Sequence, residues 1–199
     1  MSRVSEYYGL HPEIHTPAVE ILFPKEVLPY CRLQCNNDHS LYTNMPEVRH
    51  IEEYVKDPKT VLDLGCGIGR ASVYFHKRFN WNAKVFLVDG DEGNKQIGDG
   101  KKPGYYNRFT ATELFCTANG LTDFEVSKTI PDRKFDLIYS FLAFGFHWPI
   151  EYYDLKPYCH ENTKLIFGIQ PDTKVTGYHI LKEVHEDEAL RSSVVVCEI

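Results

Sequence analysis

The 199-residue sequence has no apolar run approaching the roughly 18 residues that a membrane-spanning helix requires. Its polar N-terminal stretch also lacks the basic-then-apolar pattern of a secretory signal. No membrane partner is expected, and the cytoplasm is the expected location. An excess of positive charge is missing too: 22 Lys and Arg face 28 Asp and Glu, for a formal net charge of −6. That balance argues against a nucleic-acid partner while leaving room for a local basic pocket. Paired spacing is lacking among Cys31, Cys35, Cys66, Cys116, Cys159 and Cys197, which argues against a secreted disulfide framework. Cys31, Cys35 and His39 are spaced like metal ligands, but a zinc site wants a second close pair and the sequence offers none. Pro12 between His11 and His15 fits a surface turn. No metal is expected, and no internal repeat or low-complexity tract interrupts the chain.

What the sequence does have is an ordinary globular composition, 43% hydrophobic and 25% charged, at a length that one domain with a single core accommodates. Residues 1–45 hold Pro12, Pro17, Pro24 and Pro29, with Pro46 at their edge, among the apolar Ile21, Leu22, Phe23, Val27, Leu28 and Tyr30. This is too broken for a long helix and too apolar for a disordered tail. It reads as an N-terminal extension packing on a domain of residues 46–199. Val48, Ile51 and Val55 have helical spacing after Pro46, and Asp57-Pro58 ends that helix.

The segment Val61-Leu62-Asp63-Leu64-Gly65-Cys66-Gly67-Ile68-Gly69-Arg70 reads as a buried strand, a glycine turn and a helix start. Glycine lets a backbone approach a ligand closely, and the helix start beyond it offers unpaired N–H groups. A second strand, residues 83–89, ends in Asp89, about twenty residues after Gly69, where a nucleotide-binding α/β unit grips a ribose diol. Asp89 also suits the simpler role of opening the turn Asp89-Gly90-Asp91. The glycine-rich residues 90–106 read as a long loop on the ligand face, either a cover or a solvent loop. A helix follows from Asn107, with Phe109, Leu114, Phe115 and Ala118 on its apolar face and Asn119-Gly120 as its stop. Strands are expected at 124–126, 134–141, 163–169 and 192–199, a short helix at 151–158, and helical spacing joins Val175, Tyr178, Leu181 and Val184. Alternating strands and helices imply an α/β fold, a mostly parallel Rossmann-like sheet with helices on both faces and a closing antiparallel strand at the C-terminus.

Residues 61–69, with Gly-x-Gly-x-Gly after Asp63, resemble the first motif of class I S-adenosylmethionine-dependent methyltransferases. Asp89 matches that family's ribose-binding acid, and Phe135-Asp136-Leu137-Ile138-Tyr139-Ser140 resembles its fourth-strand motif. The resemblance covers residues 61 to about 170. It implies S-adenosyl-L-methionine as cofactor, held by Asp63, Gly65, Cys66, Gly67, Gly69, Arg70, Asp89, Gly90, Ser140 and Phe141. Asp63 would brace the turn or reach the cofactor's amino group. Ser127 and Lys128 stand where the family often places an acid for adenine. Gly104-Tyr105-Tyr106-Asn107-Arg108, Ala118-Asn119-Gly120, and Gly145-Phe146-His147-Trp148-Pro149 with Tyr152-Tyr153 further resemble sugar O-methyltransferases.

Methyl transfer is an in-line displacement, so the first demand is position. A hydroxyl acceptor also needs its proton taken, and His147, beyond the fourth strand and able to titrate near neutrality, is the candidate catalytic base. Tyr106, Asn107 and Trp148 are candidate contacts to a small-molecule or saccharide substrate. Phe141, Phe144 and Phe146 are candidate faces for adenine and sulfonium, or core residues. An amine or carboxylate acceptor, for which proximity suffices, and a non-catalytic binding protein on the same fold are the alternatives.

Overall fold

The computed structural model describes residues 17–30, 40–43, 45, 51–90, 108–141, 143–144, 150, 154–170, 173–187 and 192–199. The alternating residues of β3 (Thr60–Leu64) form the central strand of a sheet, followed by α2 (Arg70–Phe79), β4 (Lys84–Val88), α3 (Phe109–Ala118), β5 (Phe124–Ser127) and β6 (Phe135–Phe141). Three strands complete it: β7 (Cys159–Ile169), β8 (His179–Asp187) and β9 (Ser192–Glu198). The seven strands run in the order β5-β4-β3-β6-β7-β9-β8. The pairs β5–β4, β4–β3, β3–β6 and β6–β7 are parallel, and β9 is antiparallel to both β7 and β8. From β3 the chain first builds toward β4 and β5, then returns to lay β6 on the other side. That reversal is a topological switch point at the carboxyl ends of β3 and β6, the place where open α/β sheets offer a crevice to ligands.

Period-two alternation sends successive side chains to opposite faces, and both faces are buried. Val61, Val85, Leu87, Leu137, Tyr139, Ile166, Val194 and Val196 face one core, closed by Val73, Tyr74 and Phe75 of α2 and Phe115 and Cys116 of α3. Leu62, Leu64, Phe86, Val88, Ile138, Leu165, Phe167 and Val195 face the other, closed by Phe144, Ile150, Leu155, Tyr158, Val175 and Tyr178.

An antiparallel hairpin of β1 (Val19–Leu22) and β2 (Ser40–Thr43) lies against the first core, which takes Ile21, Phe23, Val27 and Met45. Among the described residues, three side chains hold it through hydrogen bonds. The Asn119 side chain accepts from the Leu22 N–H and donates to the Leu22 carbonyl, both at 2.8 Å. The Arg70 guanidinium donates to Thr43 Oγ1 at 2.8 Å, and the Tyr74 hydroxyl to the Pro17 carbonyl at 3.1 Å. Asn119 thus ends α3 and also pairs with β1 as a neighbouring strand would.

Asp63 is a buried acid beside the first core, 2% exposed. Its Oδ2 accepts from Ser72 Oγ at 2.7 Å and the Tyr139 hydroxyl at 3.2 Å, and those two oxygens are 2.5 Å apart. The trio ties β3, β6 and α2 together. At the opposite edge of the sheet, Asp136 Oδ2 accepts from the Lys59 and Thr60 N–H groups at 2.7 and 2.9 Å, and its Oδ1 lies 2.9 Å from His160 Nε2. Partial burial raises the Asp136 pKa, but these donors outweigh it and hold the carboxyl below its usual range.

Some expected elements differ. The helical spacing of Val175 to Val184 belongs to no helix: Val175 and Tyr178 pack on the second core, and β8 begins at His179. The ladder offered by the β-branched β9 overrides a weak helical pattern. Within the expected helix at 151–158, the described residues form only a 3₁₀ turn, Lys156–Tyr158, because β7 starts at Cys159, earlier than its apolar run. The helix expected from Pro46 is described only as α1 (Ile51–Tyr54), and α3 starts at Phe109 with Arg108 as its N-cap. The extended backbone of β8 carries register shifts between Ile180 and Lys182 and between His185 and Asp187.

Two outcomes are expected. Burial, then the nearby Asp89 charge, pushes the Asp63 carboxyl from its ordinary 3.8 up to about 7, against the lowering effect of Ser72 and Tyr139. Between those values the folded chain holds a proton that the unfolded chain has released. The Asp63 contribution therefore falls as pH rises from about 4 through about 7 and levels off above, by up to about 4 kcal/mol. Urea unfolding at pH 5 and pH 8 should show Asp63→Asn with a smaller loss across this range than the parent; parallel losses would refute it. Asn119→Ala should cost about 1–3 kcal/mol and speed proteolysis of the hairpin, read by limited digestion.

Candidate functional site

The crevice is built by the turn from β3 into α2. Gly65, Gly67 and Gly69 have φ of +74°, +56° and +82°, a region that residues with a Cβ rarely enter. Space adds a second reason at two of them. A Cβ on Gly65 would overlap the Ala143 side chain beyond β6, and one on Gly69 would lie 2.9 Å from Cys116 Sγ on α3. The turn is clasped from outside as well. The last carbonyl of β4, Val88, accepts from the N–H groups of Gly65 and Cys66 at 2.8 and 3.2 Å, and Gly69 N–H closes on the Cys66 carbonyl at 2.8 Å. Gly69 is also the N-cap of α2 and has no side chain with which to cap the helix start.

Asp89, at the tip of β4, is half-buried beside this turn. Its Oδ2 accepts from Gly67 N–H at 2.7 Å and its Oδ1 from Gly90 N–H at 2.6 Å. Its backbone N–H reaches the Ser127 carbonyl at the end of β5, at 3.2 Å. A carboxylate carries about four lone-pair sites, and an amide on each oxygen fixes the orientation of the group beside the turn. Asp89, Gly90 and the glycines thus come together at one place.

The other candidate positions divide. Asp63 lies under the turn and braces it through Ser72 and Tyr139. The Cys66 thiol is buried, and burial first, then the Asp63 and Asp89 charges, push its pKa well up. It stays protonated and donates to the Gly67 carbonyl at 3.4 Å. The Arg70 guanidinium runs to Thr43 of the hairpin. Ser140 Oγ accepts from Phe144 N–H at 3.0 Å, shaping the exit of β6 that abuts Gly65. The Phe141 ring stacks on Tyr139, centroids 5.2 Å apart, in the first core, while Phe144 packs in the second. His147, Trp148, Tyr106 and Asn107 lie outside the described residues, as do Phe146, Cys31, Cys35, His39, His11, His15 and the loop at 91–107.

Three contributors were not legible beforehand. Thr112 Oγ1 donates to the Gly67 carbonyl at 3.0 Å, Cys116 packs on Gly69, and Ala143 fills the space beside Gly65. For Thr112 there was a signal: a hydroxyl inside the apolar stripe Ala111, Phe115 and Cys116 must find an acceptor.

No protein-family model matches the sequence, and no curated protein matches it. Solved structures do resemble it. A ribosomal protein L11 methylase from Lactobacillus delbrueckii subsp. bulgaricus superposes with a TM-score of 0.54 at 20% identity, over 82% of this chain and 86% of that one. A SAM-dependent methyltransferase from Aquifex aeolicus gives 0.56 at 18% identity, over 77% and 89%. An rRNA methylase from Streptococcus thermophilus gives 0.52 at 14% identity, over 74% and 90%. At these identities the likeness is one of fold: the chain has the mostly parallel, Rossmann-like sheet of these methyltransferases, with its glycine turn and Asp89 at the switch point of that sheet.

Proposed function

We propose that the protein is a class I methyltransferase that uses S-adenosyl-L-methionine and methylates the hydroxyl of a sugar or saccharide. The observation that carries the reading is the Asp89 carboxylate fixed by the Gly67 and Gly90 amides beside the turn. The fold shared with known methyltransferases supports it. The donor set fits the cofactor: a carboxylate for the ribose diol, a glycine turn that leaves its backbone approachable, and an uncapped helix start. When bound, the cofactor supplies an electrophilic methyl group. In this reading Asp89 accepts the two ribose hydroxyls, Gly65, Gly67 and Gly69 admit the nucleoside against the backbone, and Asp63 keeps the turn seated on α2 and β6. His147 takes the proton of the acceptor hydroxyl, and Tyr106, Asn107 and Trp148 hold the acceptor. Residues 1–45 are an N-terminal extension that packs on the domain of residues 46–199.

The likeness to an rRNA methylase and to a ribosomal protein methylase favours a second reading, a macromolecular acceptor. The net charge of −6 weighs against RNA without deciding the matter, because a local surface and not the total binds an acceptor.

Calorimetry with S-adenosylhomocysteine should show saturable binding, weakened about 10-fold or more in Asp89→Ala through loss of charge-assisted hydrogen bonds. Failure of the parent protein to bind would remove the reading. Transfer assays against saccharides, small amines and carboxylates, and RNA should give turnover with saccharides. His147→Gln should lower that turnover about 10²- to 10⁴-fold with cofactor affinity kept; unchanged turnover would dismiss His147 as the base.

A further inference from the structure

Gly67 is the midpoint of the turn, and glycine is the residue type with the most backbone freedom to lose on ordering. In this structure its two flanking peptide groups are held by different elements. The peptide before it gives its N–H to Asp89 Oδ2 at 2.7 Å. The peptide after it gives its carbonyl to Thr112 Oγ1 at 3.0 Å, with the Cys66 thiol as a weaker second donor at 3.4 Å. With both peptide planes held, the φ and ψ between them have no remaining freedom, and φ sits at +56°. Thr112 is 1% exposed, and its methyl faces Gly69 at van der Waals distance from where a Cβ would stand. One side chain of α3 therefore bonds one glycine of the turn and packs against another.

We infer that Thr112 is a positioning residue for nucleoside binding: its hydroxyl pre-orders the Gly67 turn, so that Asp89 meets the ligand already aimed. The inference rests on the cofactor reading above and adds the element that sets affinity from behind the site. Thr112 touches no ligand in this account. It acts by removing an ordering cost that binding would otherwise carry.

The test uses the full-length protein and a matched control. Thr163 is also a fully buried threonine whose hydroxyl donates to a backbone carbonyl, that of Phe135 at 2.6 Å, at the far edge of the sheet. Thr112→Val and Thr163→Val each remove a buried hydroxyl that donates to a backbone carbonyl; Thr163 Oγ1 also accepts from the His160 N–H at 2.8 Å, so the control removes at least as much. Calorimetry with S-adenosylhomocysteine should give a Kd raised about 5- to 10-fold for Thr112→Val, the size of one lost neutral hydrogen bond. The Kd of Thr163→Val should stay within about 2-fold of the parent at a comparable loss of stability. Thr112→Ser, which keeps the hydroxyl, should recover most of the affinity. Without ligand, hydrogen exchange of the amides at 65–69 should quicken in Thr112→Val only. Parental affinity in Thr112→Val, or an equal loss in Thr163→Val, overturns the inference. So does unchanged exchange at the turn. If the parent protein binds no nucleoside, the cofactor reading and the role of Thr112 in affinity fall together, while the exchange result still decides whether Thr112 locks the turn.

Discussion

The carboxyl edge of the sheet depends on one requirement: the chain must leave β3 at Leu64 and enter α2 at Arg70 through five residues, three of them left-handed. Only glycine meets this cheaply, and two of the three positions are also closed to a Cβ by Ala143 and Cys116. Because the turn is that tight, α2 starts directly over the sheet, Asp89 reaches Gly67, and the exit of β6 packs on Gly65. Looser geometry at any of these glycines would separate the parts that now share the crevice.

The turn is held in place mainly by what lies behind it. Asp63 joins β3 to α2 and β6 from the buried side, and α3 supports the turn through Thr112 and Cys116. The β1–β2 hairpin extends the same core and is fastened at Arg70, Tyr74 and Asn119, that is, to the two helices that flank the crevice. The opposite edge has its own fastening at Asp136, where the starts of β3, β6 and β7 meet on one carboxylate. The turn at one end of the sheet and strand alignment at the other are thus held by separate acids.

How much of this could be read from the sequence follows from which forces are local. β3, α2, β4, β5 and β6 announce themselves by period, β-branching and punctuation, and the glycines by the turn they must make, so the fold class and the meeting of the glycine turn with Asp89 were legible. β8 was not, because its conformation comes from pairing with β9, and three- and four-residue spacing in a partly exposed segment says little about a partner that arrives later in the chain. The same holds for Asn119, which reads as a helix stop yet also completes a strand pair 97 residues away. Arg70 follows the glycines and invites a ligand role, but its partner Thr43 sits in a proline-broken segment whose placement no local pattern specifies. Phe141 and Phe144 differ by three positions and end up on opposite faces of the sheet, a consequence of the turn that Ser140 closes.

The far margin of the sheet shows a different kind of design. β8 is the last of the seven strands and runs for nine residues, His179–Asp187. Two irregularities in its pairing with β9 break the strand into short regular lengths, and Lys182 and Glu183, as neighbours along it, belong to opposite faces of the sheet. A foreign strand would find no long straight template there. Irregular pairing of this kind is one way a sheet margin is made a poor template for strand addition.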